Sequence, residues 1–301
     1  MLILKNPKIA VPVVLFAGLI WSFGPLVVRY MNDPQLIPWQ YIFGRGSTIF
    51  ILLNLYLFFE EGKDFYKNYF KMGISGLLGG SGLGIAMICF MFSITNTSAA
   101  ITLLCLAAMP FFTALLAFLF LREKITLNVW ISIIIATIGI AIMAIGTDNQ
   151  NTMVGFIFGI TSSVGFSVFS VSLRWRKETP KFTTTAFAGL FCVIFASIMI
   201  LTNDLVFFSS SYNSALFSLH GTLVCLGLIL YSIGSKAIPA AELTLLSLTE
   251  VIGGIFWVWL PLFGINEIPS NNTIIGGFFL FVSLTYYSLV MRWNKRYIGL
   301  N

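Results

Sequence analysis

Long apolar stretches run along this chain, separated by short polar connections. Ten of them, residues 10–30, 39–59, 72–92, 98–121, 128–146, 153–173, 183–203, 220–236, 239–263 and 274–291, have the length of a bilayer-crossing helix, about 17–25 residues. The pattern predicts an all-α integral membrane protein of ten helices in one membrane domain. Between the seventh and eighth stretches, Asp204 to Leu219 is the longest connection. The first stretch follows Lys5 and Lys8 and is longer than the apolar core of a cleaved signal, so it is expected to be retained as a helix.

Composition agrees: 58% of residues are hydrophobic and 9% charged, far from the roughly quarter charged of a soluble domain. The net charge of +6 does not indicate nucleic acid, because the basic residues are dispersed between apolar runs. They sort by topology instead. With both termini in the cytoplasm, Lys5, Lys8, Lys63, Lys67, Lys71, Arg122, Lys124, Arg174, Arg176, Lys177, Lys181, Lys236, Arg292, Lys295 and Arg296 all fall inside. Only Arg29 and Arg45 remain, at the outer end of the first helix and within the second. The outer connections hold Asp33, Asp148, Asp204 and Glu267 and no lysine. This is the positive-inside pattern, and it predicts a multi-pass protein of a bacterial-type inner membrane.

The two halves repeat. RWRKETPK (Arg174 to Lys181) follows the sixth stretch as RYMNDPQ (Arg29 to Gln35) follows the first. SAAITLLCLAAMPFFTALLAFLFLREKIT in the fourth parallels PAAELTLLSLTEVIGGIFWVWLPLFGINEIPS in the ninth. The offset is 141 residues at Ala99/Ala240 and 144 at Glu123/Glu267. Five helices per copy is an odd number, so residues 1–148 and 149–301 are expected to point opposite ways. Inverted repeats are a transporter architecture, with the site near the midplane where the halves meet.

These motifs resemble the EamA family of the drug/metabolite transporter superfamily. PFFTALLAFLFLREKIT (Pro110 to Thr126) resembles the signature closing its first half, and IWSFGPLVVRY (Ile20 to Tyr30) with QYIFGRGS (Gln40 to Ser47) its opening pair. SLTEVIGGIFWVWLPLFGINEIPS (Ser247 to Ser270) resembles the second-half signature. The resemblance covers essentially the whole chain. Where the family often has Glu-Pro, this chain has Glu250-Val251, and three extra residues precede Glu267. The resemblance implies helices one to four and six to nine around a central cavity, with five and ten as peripheral scaffold. It also implies alternating-access transport, commonly export of amino acids or other small metabolites.

Glu250 lies near the middle of its apolar stretch, where an ionisable group is costly, about 2.5–3.5 kcal/mol for Asp or a base on insertion scales. At 100° per residue it shares a face with Leu243, Ser247, Gly254 and Trp257. That face offers a carboxylate, a hydroxyl, a gap and an aromatic wall. It reads as a substrate-cation or proton site, or as a protonated side chain bonded to a backbone carbonyl. Arg45, about 9 Å below the outer surface, sits in FGRGS. It can bind a substrate carboxylate through its fork, pair with Glu250 as an internal gate, or satisfy helix-end carbonyls. Glu242 is read as an interfacial or first-turn residue, and Arg29 as an anchor.

Pro25 and Pro110 each remove a helical hydrogen bond mid-stretch and, with Gly254, are read as hinge positions or static bends. Trp21, Phe23, Trp39, Tyr41, Tyr231 and Trp257 are aromatic candidates for the cavity, where Trp21 and Trp257 beside Glu250 can hold an ammonium group by cation–π contact, or are packing residues. Trp39 and Tyr41 fit the outer aromatic belt. GISGLLGGSGLG (Gly73 to Gly84) lacks GK[ST] and lies in an apolar stretch. Gly76, Gly80 and Gly84 read as a close-packing face rather than a phosphate loop.

Cys89, Cys105, Cys192 and Cys225 lie in apolar runs without CxxC spacing and read as small buried hydrophobes. His220 is the only histidine, which argues against a histidine metal site. Scattered carboxylates and one histidine argue against a membrane enzyme. No cofactor or metal is expected, and no nucleotide motif is present. The reading is a secondary, not ATP-driven, transporter of small polar metabolites, with an amino acid or amine as substrate and export taken from the resemblance. The alternatives are uptake of a cationic or quaternary-amine solute, and a non-transporting receptor or scaffold. Expected partners are the small-molecule substrate and membrane lipid, but no nucleic acid. Proton or counter-substrate coupling, and monomer or homodimer, stay open.

Overall fold

The computed structural model describes residues 7–123, 125–145, 153–176, 178–265, 268 and 271–298. Lys5, Lys124, Asp148, Lys177 and Glu267 lie outside the described residues, as do the side chains of Lys8, Arg292, Lys295 and Arg296. The helices are α1 (Pro7–Trp21), α2 (Gly24–Arg29), α3 (Pro38–Glu61), α4 (Lys67–Lys71), α5 (Gly73–Asn96), α6 (Ala99–Leu106) and α7 (Met109–Leu116). They continue with α8 (Leu127–Ile145), α9 (Met153–Trp175), α10 (Lys181–Thr202), α11 (Ser211–Gly234), α12 (Ala240–Leu246), α13 (Thr249–Trp259) and α14 (Asn271–Ile298). Among the described residues there is no strand. Eight helical segments are long and apolar enough to cross a membrane, and two shorter apolar stretches, Leu127–Ile142 and Ile274–Tyr287, lie in α8 and α14. The protein is an all-α, multi-pass membrane protein.

Three of the apolar stretches are broken in their middles. α1 and α2 are separated at Ser22–Phe23, α6 and α7 at Ala107–Ala108, α12 and α13 at Ser247–Leu248. In the first two, a proline sits at the second position of the following helix, Pro25 and Pro110, where a missing N–H costs little. The third break has no proline. There Ser247 Oγ donates to the Thr244 carbonyl at 2.8 Å and Thr249 Oγ1 to the Leu246 carbonyl at 3.1 Å. Such hydroxyl back-bonding gives the helix-end carbonyls partners the broken ladder no longer supplies. Ser22 does the same at the first break, donating to the Leu19 carbonyl at 2.6 Å.

α11 begins well before the apolar run at 220 that marks it in the sequence. Ser210 caps it, its hydroxyl accepting from Asn213 N at 3.2 Å. A local cap extends a helix through residues that hydropathy reads as loop. The early start also brings Asn213 to the chain after α2. Its amide accepts from Asn32 N at 3.0 Å and donates to the Asn32 carbonyl at 3.1 Å.

Glycine governs how closely the helices approach. On α5, Gly76, Gly80 and Gly84 face Thr184, Phe187 and Phe191 of α10, as the four-residue spacing implies, and Gly79 and Gly82 face α9. A Cβ on Gly82 would lie 2.9 Å from the Gly165 carbonyl, and one on Gly165 would lie 2.5 Å from the Gly82 carbonyl. Gly46 and Gly189 make a similar reciprocal contact between α3 and α10. α8 and α14 pack on one another. All four cysteines are buried and unbridged.

Candidate functional site

The broken helices enclose a cavity of about 560 Å³, counting the space at its mouth. Its polar wall comes from Arg45 on α3, Ser162 on α9, His220 on α11 and Glu250 on α13. Trp21, Met87, Phe90, Met109 and Phe166 are prominent in its apolar wall. The residues lining it come from seven of the apolar stretches. α10, which the resemblance would place among the lining helices, packs outside against α3 and α5, while α8 and α14 contribute nothing to the lining.

Glu250 owes its place to the third break. The interruption at Ser247–Leu248 starts a new helix in mid-chain, and Glu250 falls in its first turn. The amides there are bonded across the break, Glu250 N to the Ser247 carbonyl at 2.9 Å and Val251 N to the Leu248 carbonyl at 3.0 Å. The side chain is half-buried although it sits deep in the bundle, because it faces the cavity. Among the described residues its carboxylate has no hydrogen-bond or ion-pair partner. At the offset of 141 residues Glu250 corresponds to Met109, one residue before Pro110 at the break in the fourth stretch.

Arg45 is 2% exposed. Its Nη1 donates to Tyr41 Oη at 2.8 Å and its Nη2 to the Met87 carbonyl at 2.6 Å, while Nε has no partner. The guanidinium also lies 4.8 Å from the Tyr41 ring centroid and 5.9 Å from that of Phe90. Tyr41 Oη in turn meets His220 Nδ1 at 2.7 Å. Tyr41 is fully buried rather than in an outer belt. It stands one helical turn before Arg45 on the same face of α3, so it turns inward with the guanidinium. Arg45 and Glu250 face the same cavity, yet no ion pair joins them among the described residues.

The other expected site residues are arranged around this centre. Trp21 lines the cavity, held by its Nε1–H to the Val224 carbonyl at 3.2 Å, with its ring 5.7 Å from Phe166 and 5.5 Å from Tyr231. Tyr231 itself is fully buried one layer behind, its hydroxyl 2.6 Å from Ser170 Oγ. Trp257 donates to Ser22 Oγ at 2.8 Å and stacks on Phe23 at 4.7 Å, so it ties α13 to the break between α1 and α2. Ser247 is buried and spends its hydroxyl on the break. Gly254 is a contact point, where a Cβ would come within 2.8 Å of Leu103 and 3.3 Å of Pro25. The single face drawn through Leu243, Ser247, Glu250, Gly254 and Trp257 is divided by the break. Of these five, the cavity receives Glu250.

At one end of the bundle, Glu123 and Arg174 form an ion pair at 2.7 Å. Glu123 is positioned by a π turn over Ala117–Leu121 and a left-handed Arg122 at φ 54°. Its other oxygen accepts from the first amide of α12, Ala240 N, at 3.3 Å. Arg174 also donates to the Ser235 and Ile238 carbonyls at 3.1 and 2.7 Å. At the opposite end, Tyr30 donates to the Phe263 carbonyl at 2.6 Å, near the Asn32–Asn213 contact, and Arg29 reaches the Ile94 carbonyl at 3.5 Å. Glu242 lies in the first turn of α12, half-buried, and accepts from Tyr287 Oη.

His220 is a site residue that sequence reasoning passed over, and Tyr41 one that it assigned to the outer belt. Tyr41 carried a signal, its spacing of four from Arg45. His220 had only its uniqueness.

Comparison with known proteins bears out the family resemblance. A model of the EamA-like transporter family matches residues 8–145. An uncharacterized transporter of Helicobacter pylori is 28% identical over 171 residues, 56% of this chain and 56% of that protein. The pseudopaline exporter CntI of Pseudomonas aeruginosa is 24% identical over 217 residues, 71% of this chain and 74% of that one. The chain thus matches little more than half the length of the Helicobacter protein. A solved crystal structure superposes with a TM-score of 0.66 over 95% of this chain and 99% of its own, at 18% identity, which shows a shared fold.

Proposed function

We propose that this EamA-type membrane transporter carries a small zwitterionic metabolite, an amino acid or a close derivative, by secondary alternating access. The observation behind this reading is that Arg45 and Glu250 line one cavity and do not pair with one another. An isolated charge taken out of water costs several kcal/mol unless compensated. A guanidinium and a carboxylate facing one space are both compensated by a ligand bearing an ammonium and a carboxylate. Arg45 then takes the carboxylate and Glu250 the ammonium, with Trp21, Phe90 and Phe166 around the apolar part.

The matching contact pattern of the two halves supports the alternating-access part. α3 packs on α10 and α11, while α5 packs on α10 and α9. α1 packs on α11 and α13, while α9 packs on α5 and on α6–α7. Exchanging the halves carries the α3–α10 contact into itself and each of the others into another of the set. On this reading the breaks beside Pro25, Pro110 and Glu250 serve as the hinges of the motion. Export is favoured by the name of the Pseudomonas relative. Uptake of a bare or quaternary cation is less well matched, because Arg45 stands in the same cavity and Trp257 is engaged with Ser22 and Phe23.

The test is counterflow in proteoliposomes with the twenty α-amino acids, their decarboxylated amines and their α-carboxamides. Glu250→Gln is expected to lower zwitterion flux at least tenfold, and Arg45→Gln to erase the preference for acid over carboxamide. Undiminished flux through Glu250→Gln across the pH range removes Glu250 from the mechanism. Preference for the amine over the amino acid in the unmodified protein overturns the zwitterion reading.

A further inference from the structure

We infer that His220 positions the substrate, presenting Nε2–H into the cavity as a donor to the anionic group that Arg45 attracts. This deepens the zwitterion reading and rests on it. The direction of the hydrogen bonds around Tyr41 carries the inference. Arg45 can only donate, so the Tyr41 oxygen accepts its 2.8 Å bond. Tyr41 is fully buried, and its own proton needs an acceptor. Among the described residues, His220 Nδ1 at 2.7 Å is that acceptor. With its lone pair on Nδ1, the neutral imidazole carries its proton on Nε2.

The Nε2 edge is open because of Gly24. A Cβ there would stand 2.7 Å from Nε2, and both Gly24 and His220 line the cavity. Among the described residues Nε2 has no hydrogen-bond partner. The Arg45–Tyr41–His220 chain therefore fixes the imidazole from behind and leaves a donor in front. The fixed tautomer also sets specificity. It offers a hydrogen to an anionic oxygen and no lone pair to an ammonium, so ligand orientation is decided on the α3–α11 side of the cavity.

Two substitutions at one position separate this role from a structural one. The amide of His220→Asn reaches about as far as Nδ1, so it can keep the Tyr41 contact but loses the donor. The longer His220→Gln reaches about as far as Nε2, keeping the donor and losing the contact. Full-length protein in proteoliposomes is assayed with the best-transported of the twenty α-amino acids and with its carboxamide. His220→Asn is expected to raise KM for the acid about tenfold, the loss of one hydrogen bond to a charged group, with near-wild-type thermal stability. His220→Gln is expected to keep KM within about threefold but to melt earlier. For the carboxamide the two variants should differ little.

If His220→Asn does not fold, Gly24→Ala serves, since its methyl meets Nε2 and leaves Nδ1 bonded, and the same selective rise in KM is expected. Wild-type KM in His220→Asn or Gly24→Ala, or equal losses in the Asn and Gln variants, overturns the inference. If Arg45→Gln still abolishes acid preference in that case, the zwitterion reading survives alone. If the unmodified protein transports none of the twenty, both fall.

Discussion

Glu123 and Arg174 meet at 2.7 Å at one end of the bundle, and each also completes the end of a different helix. Glu123 supplies an acceptor to the first amide of α12, and Arg174 supplies donors to carbonyls at the end of α11 and beyond it. The pair therefore joins the chain after α7, the end of α9, and both sides of the α11–α12 connection. Its aligned positions in the other half are Glu267 and Arg29, of which Glu267 lies outside the described residues.

The two partners are not equivalent. Arg174→Gln strands a carboxylate and frees carbonyls at Ser235 and Ile238. Glu123→Gln keeps an oxygen for Ala240. The side chains are 26% and 21% exposed, so solvent weakens the ionic part. Arg174→Gln is expected to cost about 1–3 kcal/mol and Glu123→Gln less than about 1 kcal/mol. Thermal melting in detergent checks the order, and a reversed order contradicts the assignment of roles.

Ser22 and Trp257 make a second testable unit. Ser22 donates to the Leu19 carbonyl and accepts from Trp257 Nε1. Ser22→Ala leaves the indole N–H without that partner, and Trp257→Phe leaves the serine with its carbonyl bond. A double-mutant cycle should give a coupling of about 0.5–1.5 kcal/mol. Zero coupling would mean the bond does not hold α13 to the first break.

The contact between Gly82 and Gly165 admits no side chain. Gly82→Ala puts a methyl 2.9 Å from a backbone carbonyl, which does not yield as a flexible side chain would. About 1–3 kcal/mol of overpacking cost is expected, against a smaller effect for Gly62→Ala judged by crowding alone, since nothing lies within 4 Å of that position. At Gly62 the residual cost comes from its φ of 71°. Melting temperatures of the two variants make the comparison. Equal costs would show that the α5–α9 contact is looser than its geometry.

Apolar stretches revealed most of the helices because lipid leaves the backbone few options but to bond within its own segment. Arg45 and Glu250 stood out for the related reason that a charge inside such a stretch needs a purpose. The roles of Ser247 and Trp257 were hidden because a helical wheel assumes an unbroken helix, and the break between them and their upstream face is made by hydroxyl groups that leave no proline as a marker. The early start of α11 was hidden by a polar cap followed by serines and asparagine, whose pairing with Asn32 is a tertiary contact. His220 became meaningful only through Tyr41, since a hydrogen-bond direction is a property of three residues at once.

The opposed charges of the cavity have an electrical consequence. With Glu250 ionised, the site carries one positive and one negative group, and a zwitterion adds one of each. On the proposed reading, these two groups and the substrate would sum to the same zero net charge whether the site is empty or loaded. The membrane voltage does about 2.3 kcal/mol of work per elementary charge per 100 mV, and here there is no net charge for it to act on. On the proposed zwitterion reading, a carrier built this way would run on concentration difference and be indifferent to the cell's potential.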